Sequence, residues 1–188
     1  DLSESYVALS RSRLGLDLDG TGFSQQLAVA QDARDIPAYL DVESVSLVFT
    51  SPPYANLLNR QRLNKSRRSR KNHQYLKVEQ YSQDSRDLGT LSLEDYAGEM
   101  ESIFKNLLPL LRPNAHCVVN VPDMWWDDKR ITIHAALLEA IGNAGYEFRN
   151  TIIWDRTNIV NKVGIFGWPS NYITMGTTFE YLLDFRRS

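Results

Sequence analysis

The sequence predicts an α/β fold, built on a mostly parallel sheet with helices on both faces. Its strand candidates are short and apolar throughout, as is typical of strands that are buried on both sides. These candidates alternate along the chain with helical patterns. The 188 residues fit one domain with a sizeable core. We therefore predict a single domain over residues 1–188, with an insertion or mobile loop at about 55–90.

The individual elements follow from the spacing of the apolar residues. A first helix is predicted from Tyr6 to Leu14, with Ser3 as its N-cap. Apolar side chains at intervals of three and four predict an amphipathic helix over residues 93–111, which Pro113 ends. A second such helix is predicted over residues 131–144 and is closed by Gly145. The remaining predictions are a helical turn at 35–42 and strands at 27–30, 45–50, 115–121, 149–154 and 179–185.

Composition narrows the function classes. The single cysteine, Cys117, cannot form an internal disulfide, which indicates a reducing compartment such as the cytoplasm. No apolar stretch approaches the ~20 residues that span a bilayer, and the N-terminus lacks a signal-peptide pattern, so no membrane partner is expected. The three histidines are scattered without metal-ligand spacing, and we predict no metal.

The tetrapeptide Ser51-Pro52-Pro53-Tyr54 directly follows a predicted strand. Proline has a fixed φ and no N–H, so this rigid segment leaves carbonyl oxygens free to accept hydrogen bonds from a ligand. Tyr54 adds an aromatic face. A rim of this kind can bind a flat ring that carries an amine.

This tetrapeptide resembles the catalytic motif of the DNA amino-methyltransferases, which methylate the exocyclic amine of cytosine (N4) or adenine (N6) with S-adenosylmethionine. The order and spacing of the flanking segments are similar to the family as well, over nearly the whole chain outside residues 55–90. The resemblance implies a class I, Rossmann-like methyltransferase fold from its second strand onward. It also implies a bacterial, archaeal or phage-infected cell and a role beside a restriction endonuclease.

The resemblance further implies where the cofactor binds. Asp1-Leu2 resembles the segment whose acidic residue holds the cofactor ribose, and Asp32-Ala33 resembles the segment whose Asp accepts a hydrogen bond from the adenine amine. Asp32 could equally cap the helical segment that follows it. The family's glycine-rich loop would lie upstream of Asp1, so we expect an N-terminally truncated domain. This polypeptide alone should then bind S-adenosylmethionine poorly, and micromolar affinity in calorimetry would contradict that expectation.

In the family, the first side chain of the motif and the next carbonyl accept the N–H groups of the target amine; here these are Ser51 and Pro52. Pro53 and Tyr54 complete the catalytic loop, and Tyr54 is expected to stack on a base flipped out of the duplex. Serine in the first position favours N4 of cytosine, whereas the adenine-N6 enzymes more often carry Asp or Asn, so adenine remains an alternative. Cytosine-C5 methylation would need a thiolate, and Cys117 is predicted to be buried and inert.

A cluster of basic residues follows the tetrapeptide and predicts contact with double-stranded DNA. It contains seven basic residues and no acidic one, whereas the rest of the chain has 14 basic and 23 acidic residues. Such a cluster favours phosphate contacts and a steep salt dependence, and the alternative is a solvated loop. Its members are Arg60, Arg62, Lys65, Arg67, Arg68, Arg70 and Lys71.

Other interpretations stay open. The chain could be a catalytically inactive, DNA-binding remnant of the family. An RNA or protein amide methyltransferase would use a similar proline rim, but it explains the basic cluster less well. Asp123, at the end of a predicted strand, could line the pocket or serve as a turn residue. Residues 168–171 resemble a family loop near the target base.

Overall fold

The computed structural model describes residues 1–14, 27–55, 84–126, 129–156, 165–166, 174–175 and 178–188. Among these residues, 3₁₀ helices span Ala33–Ala38, Leu88–Thr90 and Leu108–Leu110. The other elements, labelled in chain order, are α1 (Glu4–Leu14), β1 (Val45–Thr50), α2 (Leu93–Leu107), β2 (Leu111–Val121), β3 (Met124–Trp126), β4 (Lys129–Ile131), α3 (Ile133–Asn143), β5 (Glu147–Asp155), β6 (Ile165–Phe166), β7 (Thr174–Met175) and β8 (Phe179–Arg186).

Among the described residues, four strands form the main sheet, in the order β1, β2, β8 and β5. β1 and β2 are parallel, whereas β8 is antiparallel to both of its neighbours. The α/β class is confirmed, and the described sheet is mostly parallel as predicted, since β1, β2 and β5 run in the same direction and β8 alone is reversed. Parallel neighbours need a crossover connection, which α2 supplies between β1 and β2. Between β5 and β8 the described residues hold only the short ribbon β6–β7, and the chain returns antiparallel.

The core lies on one face of this sheet, beneath α2 and α3. Alternate residues of β2 point into it, and Cys117, Val119 and Val121 are fully buried. The described residues place both α2 and α3 on this face of the sheet. The crossovers β1–α2–β2 and β2–α3–β5 advance in the same direction across the sheet. Because crossovers between parallel strands are right-handed, both helices lie on the same face. Large side chains left exposed on the opposite face are Leu47, Phe49, Ile152 and Trp154.

Helix α2 begins as the sequence predicts but ends earlier. Ser92 Oγ accepts a hydrogen bond from the Asp95 N–H at 3.1 Å and donates to Asp95 Oδ2 at 2.7 Å. The helix ends at Leu107 rather than residue 111, because Pro109 has no N–H to continue the helical bonding. Leu111 starts β2 instead. The predicted apolar stripe is confirmed and consists of Tyr96, Met100, Ile103, Phe104 and Leu107.

Two other predictions are wrong, one of a strand and one of a helix boundary. The segment 27–30 is not a strand, and Leu27 is exposed. This segment runs past the N-terminal residue, where Val29 O and the Gln31 N–H contact the backbone of Asp1, too few contacts for a ladder. Ile131 lies in β4 and not in the helix, since α3 starts at Ile133.

Gly145 closes α3 as predicted. Its φ is 101°, in the left-handed region that favours glycine, and an added Cβ would lie 3.0 Å from Cδ2 of Leu108. The turn directs Tyr146 into the core, where its ring packs edge-on against Phe104 with 5.7 Å between centroids. The sharp turn therefore connects α3 to β5 and places Tyr146 in the core.

Candidate active site

The site lies where β1 and β2 end, because parallel strands bring their carboxyl ends to the same edge of a sheet. Thr50, the last residue of β1, pairs with Val119, so the following residues Ser51 and Asn120 also lie side by side. Residues 51–54, which we call the proline loop, begin at this edge. The structure therefore places the loop at the carboxyl edge of the sheet, the usual ligand-binding position in α/β folds.

Within the proline loop, the Ser51 hydroxyl and the Tyr54 hydroxyl are within hydrogen-bond distance, with 3.0 Å between their oxygens. Ser51 is exposed and Pro52 is buried, so the loop is anchored by a proline while its serine faces outward. Ala55 follows with a φ of 52° and is buried in the core. A non-glycine residue in this region is held there by its surroundings, and here the fully packed Ala55 fixes the direction in which the loop leaves the site.

Two residues that sequence analysis missed join the loop to the rest of the sheet. Asn120 Nδ2 lies 2.7 Å from Glu180 Oε2 and 3.4 Å from Ser51 Oγ. Glu180 in turn forms an ion pair with Arg156. Asn120 and Glu180 are each only 6% exposed. A signal for Glu180 exists in the sequence, since it is a carboxylate within the otherwise apolar run 179–183; buried charges of this kind have a partner.

Beside the proline loop is a cavity of about 740 Å³, which is within the range of small-molecule sites. Both segments predicted to bind the cofactor line it, and so does the loop. The Gln31 N–H donates to the carbonyl of Asp1 at 2.9 Å, which brings these two segments together. The predicted residues that line the cavity are Asp1, Leu2, Asp32, Ala33, Ser51, Pro52, Pro53 and Tyr54.

The cavity wall combines carboxylates with an apolar surface. Apolar side chains come from Val48 of β1 and from α2, including Met100 and Phe104. Asp1 uses one carboxylate oxygen to accept the Ser3 N–H at 2.8 Å. A site with an apolar wall and a few fixed polar groups suits a ligand that has both a flat ring and hydroxyl groups.

Asp32 is a helix cap, as one of its two interpretations predicted. Its Oδ1 accepts the Arg34 N–H at 3.0 Å, and its Oδ2 lies 2.8 Å from the Arg34 guanidinium. Arg34 also binds Glu99 of α2 at 2.7 Å. The pKa of the Arg34 guanidinium is raised above its usual value, first by the hydrogen bond with Glu99 and then by the charge of Asp32. Capping fixes the Asp32 carboxylate on the cavity wall, so the two roles do not exclude each other.

Other candidate residues lie away from the cavity. Asp123 Oδ1 lies 2.6 Å from His134 Nδ1 and caps the start of α3 through the His134 N–H at 3.4 Å. The Tyr181 ring stacks on His134 at 4.2 Å. Burial, followed by the charge of Asp123, raises the pKa of Tyr181. Asp123 thus follows the end of β2 and contacts the start of α3, and it is not among the residues that line the cavity.

The cysteine is confirmed as a buried core residue. Cys117 is 0% exposed, and burial, with a smaller effect from the charge of Asp184, raises the pKa of its thiol to about 12. Such a thiol stays protonated at neutral pH and is a weak nucleophile.

Several sequence predictions fall outside the described residues. The basic cluster lies between residues 56 and 83, and the segment 168–171 also lies outside. The members of the basic cluster, all outside the described ranges, are Arg60, Arg62, Lys65, Arg67, Arg68, Arg70 and Lys71.

Within the described ranges, no group of three or more His, Cys, Asp or Glu side chains is arranged to hold a metal. Within the same ranges, no helix combines the length and apolarity needed to cross a membrane.

Comparison with known proteins adds a family to this geometry. The DNA methylase family of N6 and N4 methyltransferases matches residues 45–188. The chain belongs to this family. No curated protein sequence matches this chain significantly. Its fold is also that of S-adenosylmethionine-dependent methyltransferases, as two solved structures show.

The first of these is TTHA0409 from Thermus thermophilus, with 23% identity and a TM-score of 0.53 over 84% of this chain and 52% of that chain. TTHA0409 has also been solved as a complex with S-adenosyl-L-methionine. The second is the cytosine-N4-specific PvuII DNA methyltransferase, with 18% identity and a TM-score of 0.54 over 84% of this chain and 48% of that chain. The present chain thus spans about half the length of the structures it matches.

Proposed function

We propose that this protein transfers a methyl group from S-adenosylmethionine to N4 of cytosine in double-stranded DNA. The observation that carries the proposal is the position of Ser51. Its side chain is exposed at the carboxyl edge of the sheet, within hydrogen-bond distance of Tyr54 and beside a cavity of about 740 Å³. Family membership supports DNA as the substrate.

The cofactor would occupy this cavity. When bound, S-adenosylmethionine supplies a methyl group on a positively charged sulfur. The Asp1 carboxylate can accept hydrogen bonds from ribose hydroxyls, and the Asp32 carboxylate can accept from the adenine amine. Leu2 and Ala33 would contribute backbone and apolar contacts beside them. The volume and mixed lining of the cavity fit a nucleoside of this kind.

The proline loop would orient the target amine. The lone pair of an exocyclic amine is delocalised into the ring, which makes the nitrogen a poor nucleophile. Ser51 Oγ and the Pro52 carbonyl can each accept one N–H, which favours a tetrahedral nitrogen whose lone pair is free to attack. This is catalysis by positioning and preorganised polar groups. Pro53 makes the loop rigid, and the half-buried Tyr54 ring offers a face for the flipped-out base.

The choice of base rests on Ser51 and Cys117. Serine at the start of the loop favours cytosine-N4, and adenine-N6 is the runner-up within the same mechanism. Cytosine-C5 methylation needs a thiolate that attacks the ring, and Cys117 is buried with a pKa of about 12. The exocyclic amine is therefore the target that these residues suit.

We place this chemistry in one catalytic domain, with residues 55–90 as an insertion that approaches DNA. Its seven basic residues would neutralise phosphates and position the duplex. A restriction endonuclease that recognises the same sequence is the partner we propose, since methylation would protect the host DNA.

The test is identification of the product. The protein, with any residues that precede Asp1 in its gene, is incubated with unmethylated DNA and labelled S-adenosylmethionine, and the DNA is digested to nucleosides for mass spectrometry. N4-methylcytosine would confirm the proposal. N6-methyladenine would keep the mechanism and correct the base. DNA binding without any methylated nucleoside would favour the inactive remnant.

A further inference from the structure

The side-chain amide of Asn120 connects the proline loop to a buried ion pair. Asn120 Nδ2 is 2.7 Å from Glu180 Oε2 and 3.4 Å from Ser51 Oγ. Glu180 is paired through its other oxygen with Arg156. The chain of contacts therefore runs from Ser51 across β2 and β8 to the end of β5.

Glu180 determines which way the Asn120 amide faces. An ionised carboxylate only accepts hydrogen bonds, so the atom 2.7 Å from it must be the NH₂ group of Asn120. The opposite orientation would put the Asn120 oxygen against a carboxylate oxygen. Arg156 forms an ion pair with Glu180, which is only 6% exposed. An isolated buried Asn has no such constraint.

The orientation of Asn120 limits the hydrogen bonds of Ser51. A serine hydroxyl has one hydrogen to donate and two lone pairs. The Asn120 N–H occupies one lone pair. If the hydroxyl hydrogen points to the Tyr54 oxygen, 3.0 Å away, the second lone pair is left for an N–H of the target amine. In this arrangement Ser51 does not donate to the amine nitrogen, whose lone pair must attack the methyl group.

We propose that Glu180 is a positioning residue for methyl transfer, which acts on Ser51 through Asn120. This proposal rests on the function proposed above. Glu180 does not touch the substrate; it keeps the Asn120 amide turned so that Ser51 accepts from the target amine. Loss of this ordering should lower the rate of the chemical step and leave cofactor and DNA binding unchanged.

The test is Glu180→Gln in the protein that shows methyl transfer. Arg156 would attract the glutamine oxygen, so the glutamine NH₂ would face Asn120 and force its amide to turn. We expect kcat to fall about tenfold, the effect of one lost hydrogen bond, with KM for both substrates within about twofold of wild type. Asp184→Asn is the matched control, because Asp184 is on the same strand and face but pairs with His116 instead. Its kinetics should equal wild type.

A double-mutant cycle separates positioning from a structural effect. In a Ser51→Ala background, Glu180→Gln should lower kcat by less than about twofold, since its effect passes through Ser51. Equal losses in both backgrounds would overturn the proposal, as would wild-type kcat in Glu180→Gln alone. If Glu180→Gln does not fold, the same double-mutant cycle is measured with Asn120→Ala, which leaves the ion pair between Glu180 and Arg156 in place. Absence of methyl transfer in the wild type would instead refute the proposed function.

Discussion

The backbone N–H of Gln31 donates to the carbonyl oxygen of Asp1 at 2.9 Å. This bond joins the segment before α1 to the residue before Asp32, and the side chains of Asp1 and Asp32 both lie on the wall of one cavity. The segments Asp1-Leu2 and Asp32-Ala33, predicted to bind the ribose and the adenine of the cofactor, are therefore brought together by a backbone hydrogen bond. This bond involves no side chain, so the residue types did not predict it.

The first prediction separates the two roles of Asp32. Asparagine is an equally good N-cap, so Asp32→Asn should change the free energy of unfolding little, whereas Asp32→Ala should lower it by about 1 kcal/mol. If Asp32 also contacts the cofactor, both variants should weaken S-adenosylmethionine binding, Asp32→Ala by about tenfold. Calorimetry on the protein with any residues that precede Asp1 in its gene measures cofactor affinity, and urea unfolding measures stability. Glu147→Gln is the control: it removes a carboxylate that pairs with Arg186 outside the cavity, and this variant should bind S-adenosylmethionine like wild type. Unchanged affinity for S-adenosylmethionine in both Asp32 variants would mean that Asp32 serves only as a helix cap.

The second prediction concerns Tyr54. Tyr54→Phe keeps the aromatic face and removes the hydroxyl that lies 3.0 Å from Ser51, so kcat should fall about threefold to tenfold with little change in KM for DNA. Tyr54→Ala also removes the stacking face and should raise KM for DNA, since stacking on a base contributes about 1–3 kcal/mol. Steady-state kinetics on one duplex provide both values. Equal behaviour of the two variants would mean that Tyr54 does not stack on the base.

The third prediction uses a pair of glycines. Gly145→Ala should lower the free energy of unfolding by about 1–3 kcal/mol, because its φ of 101° is strained for alanine and the new methyl would meet Leu108. Gly142→Ala is the control, since Gly142 lies in α3 and an added Cβ would meet no atom within 4 Å. That variant should be more stable by about 0.5–1 kcal/mol. Urea unfolding of the two variants should therefore give changes of opposite sign.

The fourth prediction is a pH dependence of stability. The Cys117 thiol has a folded pKa of about 12 against an ordinary value of 9.0, so the unfolded chain releases this proton first as the pH rises. Its contribution to stability is complete below pH 9 and is lost between pH 9 and 12, with a slope of at most about 1.4 kcal/mol per pH unit. The difference in unfolding free energy between wild type and Cys117→Ala should be constant below about pH 8.5 and should shrink above about pH 9. A constant difference up to about pH 10.5 would mean that the thiol is not shielded from solvent.

The fifth prediction tests the basic cluster. Each phosphate contact contributes about 0.9 to the slope of log K against log salt concentration. Replacing Lys65, Arg67, Arg68 and Arg70 together by glutamine should weaken DNA binding and reduce that slope by about 3 to 4. Replacing the exposed Lys105 and Arg149 should reduce it by less than about 0.5. An unchanged slope in the fourfold variant would remove the cluster from the DNA interface.

Sequence analysis located the parts of this protein that depend on neighbours along the chain. The strand before the proline loop, the capped start of α2 and the glycine turn after α3 each follow from a local pattern of apolar, capping or turn residues. The segment 27–30 shows the limit of this reasoning. Its small apolar residues are equally compatible with a buried strand and with a connection, and only contacts with a distant strand could have decided between them.

The link between Ser51 and Glu180 could not be predicted, because it depends on the position of β8. The sequence places β8 last, whereas the fold inserts it between β2 and β5. Only this antiparallel insertion brings Glu180 next to Asn120. Strand order is set by the packing of the whole sheet, and the local pattern of residues 179–185 is compatible with several positions.

The central position of the last strand also determines when the sheet can form. β8 carries the hydrogen bonds that join β5 to the rest of the sheet. During synthesis, β1, β2 and both packed helices are complete long before residues 179–186 exist. Among the described strands, none can pair with β5 in the main sheet until then. Folding of this domain should therefore be slow and late, since its pairings join residues far apart in the chain. A nascent chain that stalls before residue 179 would expose two unpaired strand edges to its neighbours.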